Sequence, residues 1–380
     1  MEEGYPSFEM GPSRPPSEAR SLLLRLTRSC PWNRCEFCTT NKGKKFSIRT
    51  VEEIKRDIET VKTIQEKIYA LSRGDGNEGN KRAAARVHEN PPNESFWMVS
   101  LWLFYGGKTV FLQDANSLVL RTPDLVEVLK FLKQVLPTVE RITSYGSSKV
   151  IAHKSLEELK EIHEVGLSRL HVGVESGCDE VLKYVRKGAT AEEHIRAGQN
   201  VVASGISLSE YVMPGLGGRK WSQKHALETA RVINEINPDF IRLRSLVLRE
   251  DLPLYEKYKS GEFELLSDDE VVMEIAEFIR GLKVSSNLIS DHIENLLPEV
   301  EGKLPEDKEN ILNVINRYLS LPLEERLTYR LGRRTGHYNG LDDLYHPTKR
   351  PSMEKLLQQI QRSGKDVEEV IFNLKQGYLV

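Results

Sequence analysis

Three of the chain's four cysteines fall within one short stretch, Cys30-Pro31-Trp32-Asn33-Arg34-Cys35-Glu36-Phe37-Cys38. Thiolates gathered in this way are soft ligands and imply a metal centre. An iron–sulfur cluster is ordinarily held by four cysteines. No fourth cysteine lies close in sequence, so a [4Fe–4S] cluster at this stretch would keep one iron open to another ligand. Zinc is the alternative centre. It takes four Cys or His ligands in paired motifs, and here Cys178 stands alone and no His lies near the stretch. Three buried thiols without a metal are the remaining reading. The opening residues show no signal-peptide pattern and a chain of 380 residues needs no staples, so a disulfide framework is not expected.

The elements that must position these thiols follow from the flanking sequence. Leu22-Leu23-Leu24-Arg25-Leu26-Thr27 reads as a short strand ending at the cysteines, which places them at a strand's C-terminal end, where barrel active sites lie. Residues 1–20, rich in Pro, Glu and Ser, read as an extended arm without chemistry. After the basic run Lys42-Gly43-Lys44-Lys45, Thr50 and Glu53 form a capping box for a charged helix running to about residue 70, whose Lys and Arg residues read as a solvated face, a basic cluster that steers an electron donor being the alternative. Residues 72–94, heavy in Gly, Asn and charge, read as a long irregular insertion able to act as a lid. A helix over 95–105 precedes the buried strand Thr109-Val110-Phe111-Leu112, which stops at Gln113-Asp114-Ala115-Asn116-Ser117.

The same alternation continues. A helix over about 122–136 leads to a strand over 140–144, ending in Ser144-Tyr145-Gly146. Ser155 and Glu158 cap the next helix, and Leu170-His171-Val172-Gly173-Val174-Glu175-Ser176-Gly177 is the following strand and turn. Then come the strand Ser209-Glu210-Tyr211-Val212-Met213 with a turn at Pro214-Gly215-Leu216-Gly217-Gly218, and a sixth strand, Phe240–Leu246, in which Arg242 and Arg244 alternate toward one face. Strand and helix in regular succession define an α/β fold. Beyond it, residues 268–282 read as an amphipathic helix, Ser285–Asn295 as a polar segment with His292 a candidate substrate contact, and 305–380 as charged helices broken near 332–340 and 347–351. The division expected is an arm at 1–20, a core at 21–250 carrying the 72–94 insertion, and a helical region at 251–380.

Composition narrows the function. A formal charge of −2, from 54 basic and 56 acidic residues, gives no broad field to draw nucleic acid or an anionic membrane, so a small-molecule substrate is expected and nucleic acid is not. No apolar run approaches the roughly twenty residues that span a bilayer. A thiolate-held cluster needs a reducing interior, which points to the cytoplasm.

The cysteine stretch and the ordered βα repeats together resemble the radical S-adenosylmethionine (radical SAM) superfamily, with Phe37 in the aromatic position before the last cysteine. The commonest spacing there is three residues and then two, whereas here it is four and then two. The resemblance is to the branch with coproporphyrinogen oxidase-like and Elp3/MiaB-like members, and it implies a partial (β/α)6 TIM-type barrel with a C-terminal helical extension. It implies a [4Fe–4S] cluster on Cys30, Cys35 and Cys38 with S-adenosylmethionine (SAM) at the open iron. Reductive cleavage would then give a 5′-deoxyadenosyl radical that removes hydrogen from the substrate, with flavodoxin or ferredoxin as the kind of electron donor.

The site residues carry over one by one. Asp114 and Asn116 stand where the superfamily has a glycine-rich segment for the cofactor's amino group, and both offer acceptors to an ammonium. A turn capped by Asn116 is the other reading. Ser144 joins the cofactor set at the end of its strand. Glu175 takes the ribose and Lys187, twelve positions later, the methionyl carboxylate; a surface acid and a lysine ending a helix before Gly188 is the alternative. Met213 and Gly215 lie against the adenine. Cys178 is either a buried thiol or a hydrogen-atom donor. After three cysteines are spent no second four-cysteine cluster can form, and the sequence has neither an Asp-x-His-x-x-Gly cobalamin motif nor a basic C-terminal RNA module. An iron–sulfur redox or sensor protein that leaves SAM uncleaved, and a zinc-stabilised adaptor, are the other classes.

Overall fold

The computed structural model describes residues 4–72 and 76–377. Residues 1–3 of the arm, 73–75 of the expected insertion and 378–380 at the C-terminus lie outside the described residues. The chain divides into two units, one of Met1–Asn33, Thr40–Val172 and Asn200–Leu208, the other of Arg34–Thr39, Gly173–Gln199 and Ser209–Val380.

The first unit carries strands β1 (Leu22–Arg25), β2 (Thr27–Arg28), β3 (Ser47–Ile48), β4 (Thr109–Gln113), β5 (Arg141–Gly146) and the first part of β6 (Leu167–Glu175). β1 pairs in parallel with β4, β4 with β5 and β5 with β6, while β2 and β3 form a separate antiparallel pair. Leu22, Leu24, Val110, Phe111, Leu112 and Ile142 are fully buried. Their near-continuous apolar runs are what a parallel sheet covered on both faces requires. The capping box opens the helix Val51–Ala70 as expected: the Glu53 N–H donates to Thr50 Oγ1 at 3.2 Å and the Thr50 N–H to Glu53 Oε2 at 2.8 Å. That helix buries Ile54, Ile58, Val61, Ile64 and Ile68, a stripe at helical spacing.

Two expectations are corrected here. The segment 72–94 is not an irregular loop, because Gly76–Glu89 is a helix that packs on the helix Glu94–Phe104, whose N-cap is Asn93. The piece Lys81-Arg82-Ala83-Ala84-Ala85-Arg86 supplies strong helix formers, and Ala83 and Ala84 are buried. The arm, expected as an extended lead-in outside the core, packs into it. Phe8 is buried and its N–H donates to Ser95 Oγ at 3.0 Å; Gln113 Nε2 donates to Gly11 O at 3.1 Å and Ser13 O at 2.8 Å. Glu18 is fully buried with Arg141 Nη1 and Nη2 each at 2.9 Å. Its charge is tolerated inside because a guanidinium meets it bidentately.

The second unit holds the rest of β6, then β7 (Ser207–Val212, from Ser209 on), β8 (Phe240–Leu243), β9 (Asn287–Ile289) and β10 (Gly302–Lys303). β7 pairs in parallel with β8 and β8 with β9, and β10 runs antiparallel to β9. The helix Asp268–Gly281, capped by Ser267 and Glu270, matches the expected amphipathic segment. Lys308–Leu319, Leu323–Arg334, Lys349–Arg362 and Val367–Gly377 are the charged C-terminal helices. Asp268 ties Leu323–Arg334 and Val367–Gly377 from inside: it is 3% exposed, 2.9 Å from Arg334 Nη2, 3.5 Å from Arg330 Nε, and paired with Lys375. No described helix is long and apolar enough to cross a membrane.

Candidate cofactor site

Cys30 belongs to the first unit, and Cys35 and Cys38 to the second. All three cysteines are partly exposed and none is in a disulfide. In the first unit, Ser29 and Asn33 turn left-handed, at φ 69° and 43°. The Asn33 N–H points to Cys30 Sγ at 3.4 Å and its Nδ2 donates to Asn41 O at 2.6 Å. Asp114, 1% exposed, braces this end: its Oδ2 accepts from Arg25 Nη2 at 2.6 Å, Arg25 Nε at 3.1 Å and the Ser29 N–H at 3.0 Å. Asp114 Oδ1 is buried without a hydrogen bond. Asn116 caps a short 3-10 turn, its Oδ1 accepting from the Leu118 N–H at 3.2 Å. The Ser144 hydroxyl is taken up by Tyr145 O at 2.9 Å and Leu112 O at 3.3 Å.

In the second unit the cysteine stretch is pinned through Glu36. Its N–H donates to Val185 O at 2.9 Å, its C=O accepts from the Leu254 N–H at 3.2 Å, and its carboxylate pairs with Lys257 at 2.7 Å and Arg186 at 3.1 Å. This holds Phe37 against an apolar cluster containing Val181, Met213 and Leu254. Lys187 comes to the same place. Its C=O lies 3.9 Å from Cys35 Sγ, and its ammonium is 5.9 Å from the Phe37 ring centroid and 3.0 Å from Glu175 Oε1. Burial alone would depress the Lys187 ammonium; the Glu175 carboxylate and the sulfurs of Cys35 and Cys38 outweigh it and hold the pKa above the ordinary lysine value. Glu175 itself adopts φ 61°, a conformation that costs a non-glycine residue strain and marks functional sites. Cys35, Phe37, Lys187 and Glu175 thus lie together in the second unit.

Met213 and Gly215 are tied to this pair. The Met213 N–H donates to Glu175 O at 3.0 Å, His225 Nε2 lies 3.1 Å from Met213 O, and the Gly215 N–H donates to Glu274 Oε1 at 2.6 Å. Gly215 has φ 87°, which glycine adopts without a Cβ penalty. Cys178 is 1% exposed within the apolar cluster; its thiol donates to Glu180 Oε2 at 3.2 Å and burial pushes its pKa up. His292 is half-buried beside Asp291, its pKa pushed down to about 4 by burial and then by Arg244.

Four residues escaped the sequence reading. Glu210 on β7 is 1% exposed, and burial first, then Glu175, raises its pKa well above the usual carboxylate range despite Lys187. His194 is fully buried and driven down to about 3 by burial and then by Lys187, so it stays neutral. An acid inside the strand Ser207–Val212 was a visible signal for Glu210. His225, on the helix that follows the Met213–Gly215 turn, and Glu274, from a helix far along the chain, hold that turn and gave none.

The donors suit an iron–sulfur cluster. Among the described residues no three His, Cys, Asp or Glu side chains converge on one point. Three cysteine thiolates are soft donors of the kind that iron–sulfur clusters take, each binding its own iron.

Comparison with known proteins defines the class. The family model described as Radical SAM superfamily matches residues 24–230, more than half of the chain. The chain belongs to that superfamily and is an enzyme; its mostly parallel βα order is that of the partial TIM-type barrel. It is 28% identical over 129 residues to a tRNA uridine(34) acetyltransferase of Methanocaldococcus infernus, covering 34% of this chain and 24% of that protein. To the 4′-phospho-dehydrooxetanocin synthase of Priestia megaterium it is 25% identical over 256 residues, 64% of this chain and 31% of that one. Among solved structures, the Methanocaldococcus infernus Elp3 lacking its N-terminus aligns at TM-score 0.41 and 17% identity, over 56% of this chain and 53% of that chain. Coproporphyrinogen III oxidase from Escherichia coli aligns at 0.39 and 17%, over 65% and 49%. The chain spans about a quarter of the length of the archaeal acetyltransferases it matches.

Proposed function

We propose that this enzyme uses a [4Fe–4S] cluster on Cys30, Cys35 and Cys38 to cleave SAM reductively and take a hydrogen atom from a small-molecule substrate. The observation that carries the reading is the Lys187–Glu175 pair at 3.0 Å, set beside Cys35 and Phe37. When bound, the cluster supplies the one electron that breaks a sulfonium C–S bond. The chain's own work is to bind, orient and exclude water. Lys187 offers a permanent cation to the methionyl carboxylate, and Glu175 an acceptor to the ribose. The Met213–Gly215 backbone, fixed by His225 and Glu274, faces the adenine.

Asp114 keeps Oδ1 without a partner and so retains one acceptor for the cofactor's ammonium, while Asn116, whose side-chain oxygen caps the next turn, contributes backbone there. Ser144 shapes the strand end. Cys178, buried and hydrogen-bonded, serves packing. Residues 21–250 form the catalytic core, the cytoplasm is the reducing compartment such a cluster needs, and a flavodoxin or ferredoxin is the class of reductant. Anaerobically reconstituted protein mixed with SAM and dithionite is expected to release 5′-deoxyadenosine. A redox or sensor protein would bind iron and release none.

A further inference from the structure

At the ends of β7 and β8 in the second unit, positive charge exceeds negative charge. Arg242 on β8 lies level with Tyr211 on β7 and Ile289 on β9. Alternate residues of a strand share a face, so Arg244, just past the end of β8, continues the face of Arg242. Arg242 is 5% exposed; its Nη1 pairs with Asp291 Oδ2 at 2.6 Å, and its Nε is buried without a hydrogen bond. Arg244 is exposed. Its N–H donates to Val212 O at 3.0 Å, and among the described residues its guanidinium has no hydrogen bond or ion pair.

The groups facing Arg244 are Arg242, Asp291, Tyr211, His292 and, more weakly, the buried Glu294 carboxylate, which feels Arg334 and Lys375 before Arg244 and whose pKa burial raises. Asp291 is already used by Arg242. His292 is held neutral by burial and by Arg244 itself, and it brings no negative charge. The Tyr211 hydroxyl is pushed up to about 12 by burial, against the pull of both arginines, and stays protonated. One cationic charge is therefore left over beside a second guanidinium. A guanidinium fork matches carboxylate or phosphate oxygens bidentately. The Tyr211 hydroxyl also feels the Glu175 carboxylate, which links the patch to the proposed cofactor site.

We infer that Arg244, supported by Arg242 Nε and His292, is the recognition site for an anionic group, a carboxylate or phosphate, carried by the substrate. This rests on the reading of the same region as a SAM-dependent site. The anion contact itself can be measured without any SAM cleavage.

The test uses the full chain, reconstituted anaerobically, titrated calorimetrically with inorganic phosphate and separately with acetate at low ionic strength against a chloride control. Saturable binding of either is expected, with tighter phosphate marking a phosphoryl group and tighter acetate a carboxylate. Arg244→Gln is expected to weaken it about tenfold or more and Arg244→Lys to recover part of it, while the distant exposed Arg121→Gln changes nothing. Binding is also expected to persist at saturating SAM. Binding no stronger than chloride, binding unchanged in Arg244→Gln, or competition by SAM would each overturn the inference. Anion binding with no 5′-deoxyadenosine would leave this site standing and remove the radical reading instead.

Discussion

The Lys187 ammonium lies 3.0 Å from Glu175 Oε1, and Gly173 provides the room for that pair. A Cβ on Gly173 would overlap the Glu175 carboxylate and come within 3.0 Å of Lys187 Nζ. Both obstacles are ends of flexible side chains, so they yield before the backbone does. Gly173→Ala is therefore expected to leave the fold intact and weaken SAM binding about tenfold, by displacing the pair. Equilibrium dialysis with labelled SAM checks this; an unchanged dissociation constant would mean that the pair does not hold the cofactor.

Asp114 ties Arg25 and the Ser29 N–H to the Cys30 end of the loop. Asp114→Ala leaves Arg25 largely buried with a weaker set of partners, at a cost of roughly 3 kcal/mol. Urea unfolding measures that loss. The cluster's visible absorbance is expected to bleach faster than wild type under a chelator, and equal bleaching would remove Asp114 from any bracing role.

His292 sets a pH dependence. Its folded pKa of about 4 lies below the ordinary 6.5 because of burial and Arg244. The unfolded chain then binds more protons across that interval, so stability falls as pH drops from 6.5 toward 4. His292→Gln is expected to flatten this part of the profile, and Arg244→Gln to raise the His292 pKa as read from its ring protons by NMR. A His292 titrating near 6.5 in the wild type would contradict the charge arrangement.

Asp268 gives a second, separate window. Burial opposes its ionisation, but Arg334, Lys375 and Arg330 prevail and hold its pKa below the usual value. A depressed carboxylate contributes stability above its unfolded pKa near 4 that is lost as pH falls further. Asp268→Asn leaves three cations facing one another and is expected to cost about 3–5 kcal/mol at neutral pH. A urea midpoint unchanged at pH 7 would show that the C-terminal helices are held by their apolar contacts, such as Leu331 with Leu357 and Ile360, alone.

What the sequence revealed was local. The cysteine stretch and the box of Thr50 and Glu53 are short-range patterns whose chemistry is visible without a fold, whereas Glu175 and Lys187 were singled out only through the resemblance to the superfamily. The helix Gly76–Glu89 was hidden because its Gly and Asn residues outweighed three alanines in a reading by composition. The arm was misjudged for another reason: Glu18 finds its partner at Arg141 and Phe8 at Ser95, contacts between residues far apart in sequence. The same distance concealed Glu274, whose carboxylate holds the Gly215 N–H from a helix that sequence places well beyond the core strands.

The central claim is that three thiolates hold a cluster with one iron open to SAM. Electron paramagnetic resonance of the dithionite-reduced, anaerobically reconstituted protein, with and without SAM and alongside an iron and sulfide count, tests it most directly. The account expects about four irons per chain, a reduced-cluster signal that SAM visibly changes, and loss of that signal in Cys30→Ala, Cys35→Ala and Cys38→Ala. Zinc in place of iron, or a cluster signal indifferent to SAM, would contradict it.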